Sequence, residues 1–187
     1  MLILGISGSL RRESSNTRLL RAAAAKVPPG ARLRVYDALS EIPPFNEDHE
    51  TQPAGPALGR LRAEIAVADA VLISTPEYNG SVPGQLKNAL DWISRPLQTN
   101  PLRGRPVAVV GASSGIFGAV WAQADLRRVL TAIGAAVLDE ELPVGHADTA
   151  FTLRGDLLDP ETDAALAALM GRLVAAARSS ATAVAAC

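Results

Sequence analysis

Short apolar runs alternate along this chain with longer segments of helical periodicity. The apolar runs, which predict buried strands, are Leu2–Ile6, Leu33–Tyr36, Ala70–Ser74, Val107–Val110 and Ala136–Leu138. The segments with helical spacing are Asn16–Lys26, Ala57–Ala68, Gly84–Arg95, Trp121–Ile133 and Glu161–Ala177. This alternation predicts βαβ units and a parallel sheet with helices on both faces. We therefore expect an α/β three-layer sandwich whose five-stranded parallel sheet has the order 2-1-3-4-5.

The 187 residues suit one domain, which we place at residues 1–180. Ile42–Pro56 is rich in proline and polar residues and predicts a long loop. Residues Ser179–Cys187 are small and weakly apolar, so we expect this end to fray, with 181–187 as a disordered tail.

Charge and cysteine content narrow the class of protein. The net charge of −1 and the lack of a basic run favour neither a nucleic acid nor an anionic membrane as partner. The single cysteine, Cys187, rules out a disulfide framework, and neither a signal peptide nor a membrane span is visible, so we expect a cytoplasmic protein. His49 and His146 lie far apart without a clustered acid, so no metal site is expected.

The loop after the first strand is rich in glycine and hydroxyl groups and leads into the first predicted helix. Unpaired N–H groups and the helix dipole favour an anion there. The candidate ligands are Ser9, Arg11, Ser14, Ser15, Asn16 and Thr17. The alternative is a tight turn in which a serine only caps the helix. A Walker loop requires a lysine, and a dinucleotide-binding fingerprint requires a different glycine spacing; this loop has neither. We therefore expect it to bind a terminal monophosphate, such as that of FMN.

Two more loops follow neighbouring predicted strands. Ser74–Gly84 includes Tyr78 and an Asn-Gly turn, and Gly111–Gly118 contains three glycines and two serines. In an open α/β sheet the carboxyl ends of such strands form the ligand site. Glycines let backbone groups approach a ring edge, and Tyr78 offers an aromatic face. The three loops together therefore predict a site for a phosphate joined to a flat ring.

Two motifs of the chain resemble those of the NADPH-dependent FMN reductase family. They are Gly8-Ser9-Leu10-Arg11-x-x-Ser14-x-Asn16 and Pro76-Glu77-Tyr78-Asn79-Gly80-Ser81-x-Pro83-Gly84-x-Leu86-Lys87-Asn88-Ala89-Leu90-Asp91-Trp92. The resemblance covers Leu2 to about Glu141 and implies a flavodoxin-like fold, bound FMN and homodimers or homotetramers. It implies that the six residues of the first loop hold the phosphate. It further implies that the isoalloxazine edge is bound by Pro76, Glu77, Tyr78, Asn79, Gly80 and Ser81, and that Ser113 and Gly115 lie near the ring or the ribityl chain.

This resemblance implies an oxidoreductase that passes electrons from NADPH or NADH through FMN to a quinone, free flavin, azo compound or chromate. Because flavin carries the chemistry, we expect ping-pong kinetics and assign no catalytic residue. We expect Glu77 to bond nearby backbone or a partner chain rather than to transfer protons. The alternatives are a flavodoxin-type electron carrier that docks protein partners, a dehydrogenase without flavin, and a flavin-free interaction domain.

The two tryptophans lie beside the apolar stripes of their predicted helices. Leu86, Ala89, Leu90 and Ile93 form one stripe, and Trp92 is displaced from it; Trp121 is similarly displaced from the stripe of the next helix. Off-core aromatic residues often anchor interfaces, so we expect both to contact a second copy of the chain. The alternative is that a loop of the same chain covers each of them.

Overall fold

The computed structural model describes residues 1–50 and 55–185. The strands there are β1 Leu2–Ser7, β2 Arg32–Tyr36, β3 Ala70–Thr75, β4 Pro106–Ala112, β5 Ala136–Val137 and β6 Pro143–Val144. The helices are α1 Ser15–Ala25, α2 Pro56–Val67, α3 Gly84–Ile93, α4 Val120–Ala132 and α5 Pro160–Ala185. None of the described helices combines the length and the apolar character that crossing a membrane requires.

The sheet is parallel and has the order β2-β1-β3-β4-β5, which confirms the predicted strand order. β3 and β4 are buried along their whole length, as strands covered on both faces must be. One apolar core lies between the sheet and α2, α3 and α4, and a second lies between the sheet and α1 and α5. The predicted three-layer sandwich is therefore present.

A short strand that the apolar pattern does not predict, β6, pairs with the end of β4. Its register places Pro143 beside Gly111 and Val144 beside Ala112. The loop before α4 lies so close to this strand that a Cβ atom at Gly118 would be 2.5 Å from the Val144 nitrogen. Gly118 also has a φ of 56°, which favours glycine. β6 thus brings the chain that follows it to the carboxyl end of β4.

The last helix is longer than its apolar pattern predicts. α5 continues to Ala185, beyond the Ala177 end that the pattern predicts, and residues 186–187 lie outside the described part. The fraying expected from Ser179 and the tail at 181–187 stay predictions. The helix is rich in alanine, which has the highest intrinsic helix propensity. The Ser179 and Thr182 hydroxyls donate to carbonyl groups one turn earlier. In the predicted long loop, Glu47–His49 form a 3-10 turn, and residues 51–54 are not described.

Trp92 is covered by its own chain, so its predicted role at an interface is wrong. Its side chain is only 6% exposed. The indole nitrogen donates to the Pro43 carbonyl at 2.9 Å, and the Phe45 ring packs edge-on at a centroid distance of 4.9 Å. Trp121, in contrast, is 53% exposed. The loop after β2 therefore provides the cover that a partner was expected to provide for Trp92.

Candidate functional site

A cavity of about 200 Å³ opens where the carboxyl ends of β1, β3 and β4 meet. The strand order reverses between β1 and β3, and such switch points are the usual ligand sites of open α/β sheets. The cavity is lined by Ser9, Arg11, Ser15, Asn16, Pro76, Glu77, Tyr78, Ala112, Ser113, Ser114, Ala147 and Asp148. The three loops predicted to form a site therefore do converge, and a fourth segment, around Ala147, joins them.

Asn16 forms the floor of this cavity. Its side chain is 3% exposed, and its Nδ2 donates to the Ala112 carbonyl at 2.9 Å. Its Oδ1 accepts from the Ala112 N–H at 3.0 Å and from the Ser74 hydroxyl at 2.8 Å. These bonds connect α1 to the ends of β3 and β4. The amide side chain, predicted to hold phosphate, is thus occupied within the protein.

Ser14 and Thr17 also use their hydroxyl groups within the protein. The Ser14 hydroxyl oxygen caps α1 by accepting from the Thr17 N–H at 3.2 Å. The Thr17 hydroxyl donates to Ser7 at 3.0 Å, and Thr17 lines a neighbouring cavity rather than the first one. Neither residue lines the first cavity.

The start of α1 still presents free donors to the cavity. Within the described part of the chain, the backbone N–H groups of Ser15 and Asn16 have no hydrogen-bond partner. They lie in the first turn of the helix, where the positive end of the helix dipole favours an anion. Arg11 is exposed at the same end of the cavity, and its guanidinium forms no ion pair among the described residues. An anionic group fits this end.

The segment after β3 forms a tight hairpin, which we call the 77–81 hairpin. Tyr78 and Ser81 exchange two backbone hydrogen bonds, at 3.1 and 3.2 Å. Between them Asn79 and Gly80 have φ angles of 53° and 74°, the values of a type I′ turn. The turn explains the Asn-Gly sequence and leaves Tyr78 half exposed at the cavity.

Two side chains fasten the 77–81 hairpin to α4. The Glu77 Oε2 accepts from the Ala122 N–H at 3.0 Å, so the carboxylate caps α4, as expected for a loop acid that bonds nearby backbone. The Ser81 hydroxyl donates to Asp125 Oδ2 at 2.7 Å, and Arg128 pairs with Asp125 Oδ1 at 3.0 Å. The Ser81 hydrogen bond, followed by the Arg128 contact, lowers the pKa of Asp125 below its ordinary value.

The third loop is joined to the segment after β6. The Ser113 carbonyl accepts from the Ala147 N–H at 3.0 Å, and the Gly115 carbonyl accepts from the His146 N–H at 3.2 Å. The Ser113 hydroxyl oxygen accepts from the Gly115 N–H at 3.2 Å. These bonds bring Ala147 and Asp148 to the cavity. Sequence reasoning misses both residues because no strand periodicity or motif marks β6.

The predicted site residues fall into two groups. Ser9, Arg11, Ser15, Asn16, Pro76, Glu77, Tyr78 and Ser113 line the cavity. Ser14, Thr17, Asn79, Gly80, Ser81 and Gly115 lie in the same loops but do not line it. The donors at α1 suit a phosphate, and the hairpin and the 113–118 loop suit the polar edge of a planar ring. These residues therefore fit FMN.

Known proteins are similar to this chain in sequence and in structure. Residues 1–149 match the family described as NADPH-dependent FMN reductase. An NAD(P)H-dependent FMN reductase of Pseudomonas aeruginosa is 46% identical over 158 residues, 84% of each chain. A quinone reductase of Pseudomonas putida is 38% identical over 155 residues, which are 82% of this chain and 83% of that protein. The solved structure of FerB, a flavoenzyme NAD(P)H:(acceptor) oxidoreductase of Paracoccus denitrificans, has a TM-score of 0.84 at 32% identity and covers 95% of this chain and 97% of that chain.

Proposed function

Because this chain belongs to the NADPH-dependent FMN reductase family, we propose that it moves electrons from NADPH or NADH through FMN to a quinone or another small acceptor. The family match confirms the predicted family, the oxidoreductase class and the FMN cofactor. The likeness to FerB and the strand order confirm the predicted flavodoxin-like fold. The observation that carries the proposal is a single cavity that joins a helix N-terminus with free donors to the 77–81 hairpin.

We propose that the N–H groups of Ser15 and Asn16, with the side chains of Ser9, Arg11 and Ser15, hold the FMN phosphate. Ser14 and Thr17 would contribute by fixing the loop that presents these groups. Arginine suits this role because its guanidinium can donate two parallel hydrogen bonds to phosphate oxygens.

We assign the ring end of the site to the 77–81 hairpin and the 113–118 loop. The ring edge would be bound by Pro76, Glu77, Tyr78, Asn79, Gly80 and Ser81 on one side and by Ser113 and Gly115 on the other. Asn79 and Gly80, which form the turn with positive φ angles, would act through their backbone groups. When bound, FMN would carry the redox chemistry between the reduced nicotinamide and the acceptor, and the protein would supply binding and orientation.

A spectrum of the purified protein and an assay of the released flavin test the cofactor. We expect flavin absorbance bands and release of FMN on denaturation, because the phosphate end of the cavity suits a terminal monophosphate. Release of FAD, or failure of the apoprotein to bind FMN at micromolar concentration, would contradict the proposal.

We further propose that nicotinamide and acceptor use the same open side of the cavity in turn. Steady-state kinetics with NADPH or NADH and a benzoquinone would then give parallel double-reciprocal plots. Intersecting lines would show that both substrates bind together. Slow turnover of free NAD(P)H would instead favour the electron carrier that the sequence left open.

An aromatic patch beside the site supports a homo-oligomer. Ile116, Phe117 and Trp121 are each more than half exposed, and the Phe117 and Trp121 rings pack edge-on at a centroid distance of 5.0 Å. We propose that a second copy of the chain covers this patch in a homodimer, or in each half of a homotetramer, and helps to enclose the flavin site. The cytoplasmic location and the lack of a nucleic-acid or membrane partner stay predictions.

Light scattering of Trp121→Ala tests this interface. We expect a shift toward monomer together with lower turnover, because a large aromatic side chain is lost from the centre of the patch. Trp92→Ala is the matched control, since Trp92 packs on its own chain and should affect stability rather than assembly. A fully active wild-type monomer at micromolar concentration would contradict the interface.

A further inference from the structure

Helix α4 begins without a capping side chain of its own. Ala119 precedes it with a φ of 65°, and no side chain of the preceding loop bonds the first turn. The cap comes instead from Glu77, far away in sequence, at the base of the 77–81 hairpin. The hairpin and the first turns of α4 are therefore parts of one hydrogen-bonded unit.

The second connection between the hairpin and α4 is made by Asp125. Asp125 receives the Ser81 hydroxyl on Oδ2 and the Arg128 guanidinium on Oδ1. The Arg128 side chain is 74% exposed, so it adds charge near Asp125 rather than a rigid contact, and the bond to the hairpin is the one that Ser81 makes. Asp125 itself does not line the cavity.

Among the described residues, the Glu77 and Ser81 side chains make the hydrogen bonds that join the hairpin to α4, and Val82, next to its second arm, packs on the apolar core. Its two arms are joined by a two-residue turn, and an isolated two-stranded hairpin is marginally stable at best. Glu77 secures the first arm, and Ser81 secures the second. Loss of the Ser81 bond would leave the turn and the Val82 packing intact and would remove the side-chain hydrogen bond between the second arm and α4.

We propose that Asp125 is a positioning residue for the flavin ring: through Ser81 it fixes the Asn79-Gly80 backbone at the place where the ring edge binds. This inference rests on the proposed function, because it assumes that the hairpin contacts the ring. Fixed donors and acceptors bind better than mobile ones, since less ordering accompanies binding. Asp125 is thus expected to affect the binding of the flavin ring and not the binding of the phosphate.

The test measures the affinity of the apoprotein for FMN and for riboflavin, which lacks the phosphate. We expect Asp125→Ala and Ser81→Ala each to weaken both ligands by roughly three- to tenfold, the effect of one ordinary hydrogen bond. The double variant should be no weaker than either single variant, because both remove the same bond. Asp125→Asn, which keeps an acceptor oxygen, should restore most of the affinity. Hydrogen exchange of the Asn79–Ser81 amides should be faster in Asp125→Ala.

Two matched variants separate this bond from general charge effects. Arg128→Ala removes the ion pair but leaves the Ser81 acceptor, and Glu141→Gln neutralises a carboxylate that pairs with Arg127 of α4 without touching the hairpin. Both should bind riboflavin within about twofold of the wild type. If Asp125→Ala or Ser81→Ala binds riboflavin as the wild type does, the inference is wrong and the proposed function stands. If wild-type apoprotein binds no FMN, the proposed function itself fails.

Discussion

The loop between β1 and α1 contains two regions that look alike in sequence and differ in structure. The floor group is Ser14 and Asn16, which are buried and bonded within the protein; Asn16 forms the floor of the cavity, and Ser14 caps α1 without lining it. The rim consists of Arg11 and Ser15, which are more exposed and line the cavity. All four are polar residues that could bind phosphate by type alone. Only their hydrogen-bond partners show that Ser14 and Asn16 hold the loop in place and that Arg11 and Ser15 remain available to a ligand.

The largest expected effect comes from the floor residue Asn16. Asn16→Ala would leave the Ala112 N–H and carbonyl and the Ser74 hydroxyl buried without partners. Because each of these three unsatisfied buried groups costs about 1–3 kcal/mol, we expect the free energy of unfolding of the apoprotein to fall by about 3 kcal/mol or more. Urea denaturation of the apoprotein measures this. Unchanged stability with weaker FMN binding would place Asn16 at the rim instead.

The rim residue Arg11 should show the opposite behaviour. Arg11→Ala is expected to weaken FMN binding by about 1.5–3 kcal/mol, the value of a hydrogen bond to a charged group. Riboflavin affinity and the urea midpoint of the apoprotein should change little, because the Arg11 side chain has no ion-pair partner in the described structure. Equal losses for FMN and riboflavin would show that Arg11 supports the loop rather than the phosphate.

A smaller effect on stability is expected at the helix cap. Ser14→Ala removes the acceptor for the Thr17 N–H and should destabilise the apoprotein by about 1 kcal/mol. Ser14→Thr keeps a hydroxyl and serves as the control. The comparison between floor and rim would fail here if Ser14→Ala left the thermal midpoint of the apoprotein unchanged and lowered only FMN affinity.

The smallest effect is expected for the rim residue Ser15. Its hydroxyl has only a 3.5 Å contact with the Ala147 carbonyl and is available to a ligand. Ser15→Ala should weaken FMN by about 0.5–1.5 kcal/mol, as for one neutral hydrogen bond, and leave riboflavin unaffected. Isothermal titration of the apoprotein with both flavins distinguishes the phosphate contribution from any effect on the ring.

Much of the fold could be predicted because the strongest signals are local. The five predicted strands are short apolar runs between turn signals, and the helices carry amphipathic spacing, so element type and order follow from periodicity. The meeting of three loops also follows, because parallel strands end at one edge of the sheet. β6 could not be predicted, since two residues show no period and its pairing with β4 depends on the close approach at Gly118.

Which site residues are held by contacts within the protein, and which can bind a ligand, could not be predicted either. The Asn16 side chain is committed by partners on β3 and β4 that are distant in sequence. For Glu77 the sequence indicates a bond to backbone, but not that the donor is Ala122 of α4. Trp92 is a similar case, because its cover comes from Pro43 and Phe45 in the loop after β2. Residue type and spacing indicate which groups can bind a ligand, whereas tertiary contacts decide which remain free to do so.

The outer strands of the sheet make strand-to-strand association between molecules unfavourable. At one edge, β2 carries the exposed side chains of Arg32 and Arg34. At the other, β5 and β6 are two residues each, and β4 residues 108–110 pair with β3 alone. Charged side chains and very short edge strands are the features by which natural sheets avoid intermolecular β-pairing and aggregation. Copies of this chain therefore have helices and loops, and not sheet edges, through which to associate, and the protein is expected to resist fibril formation at high concentration.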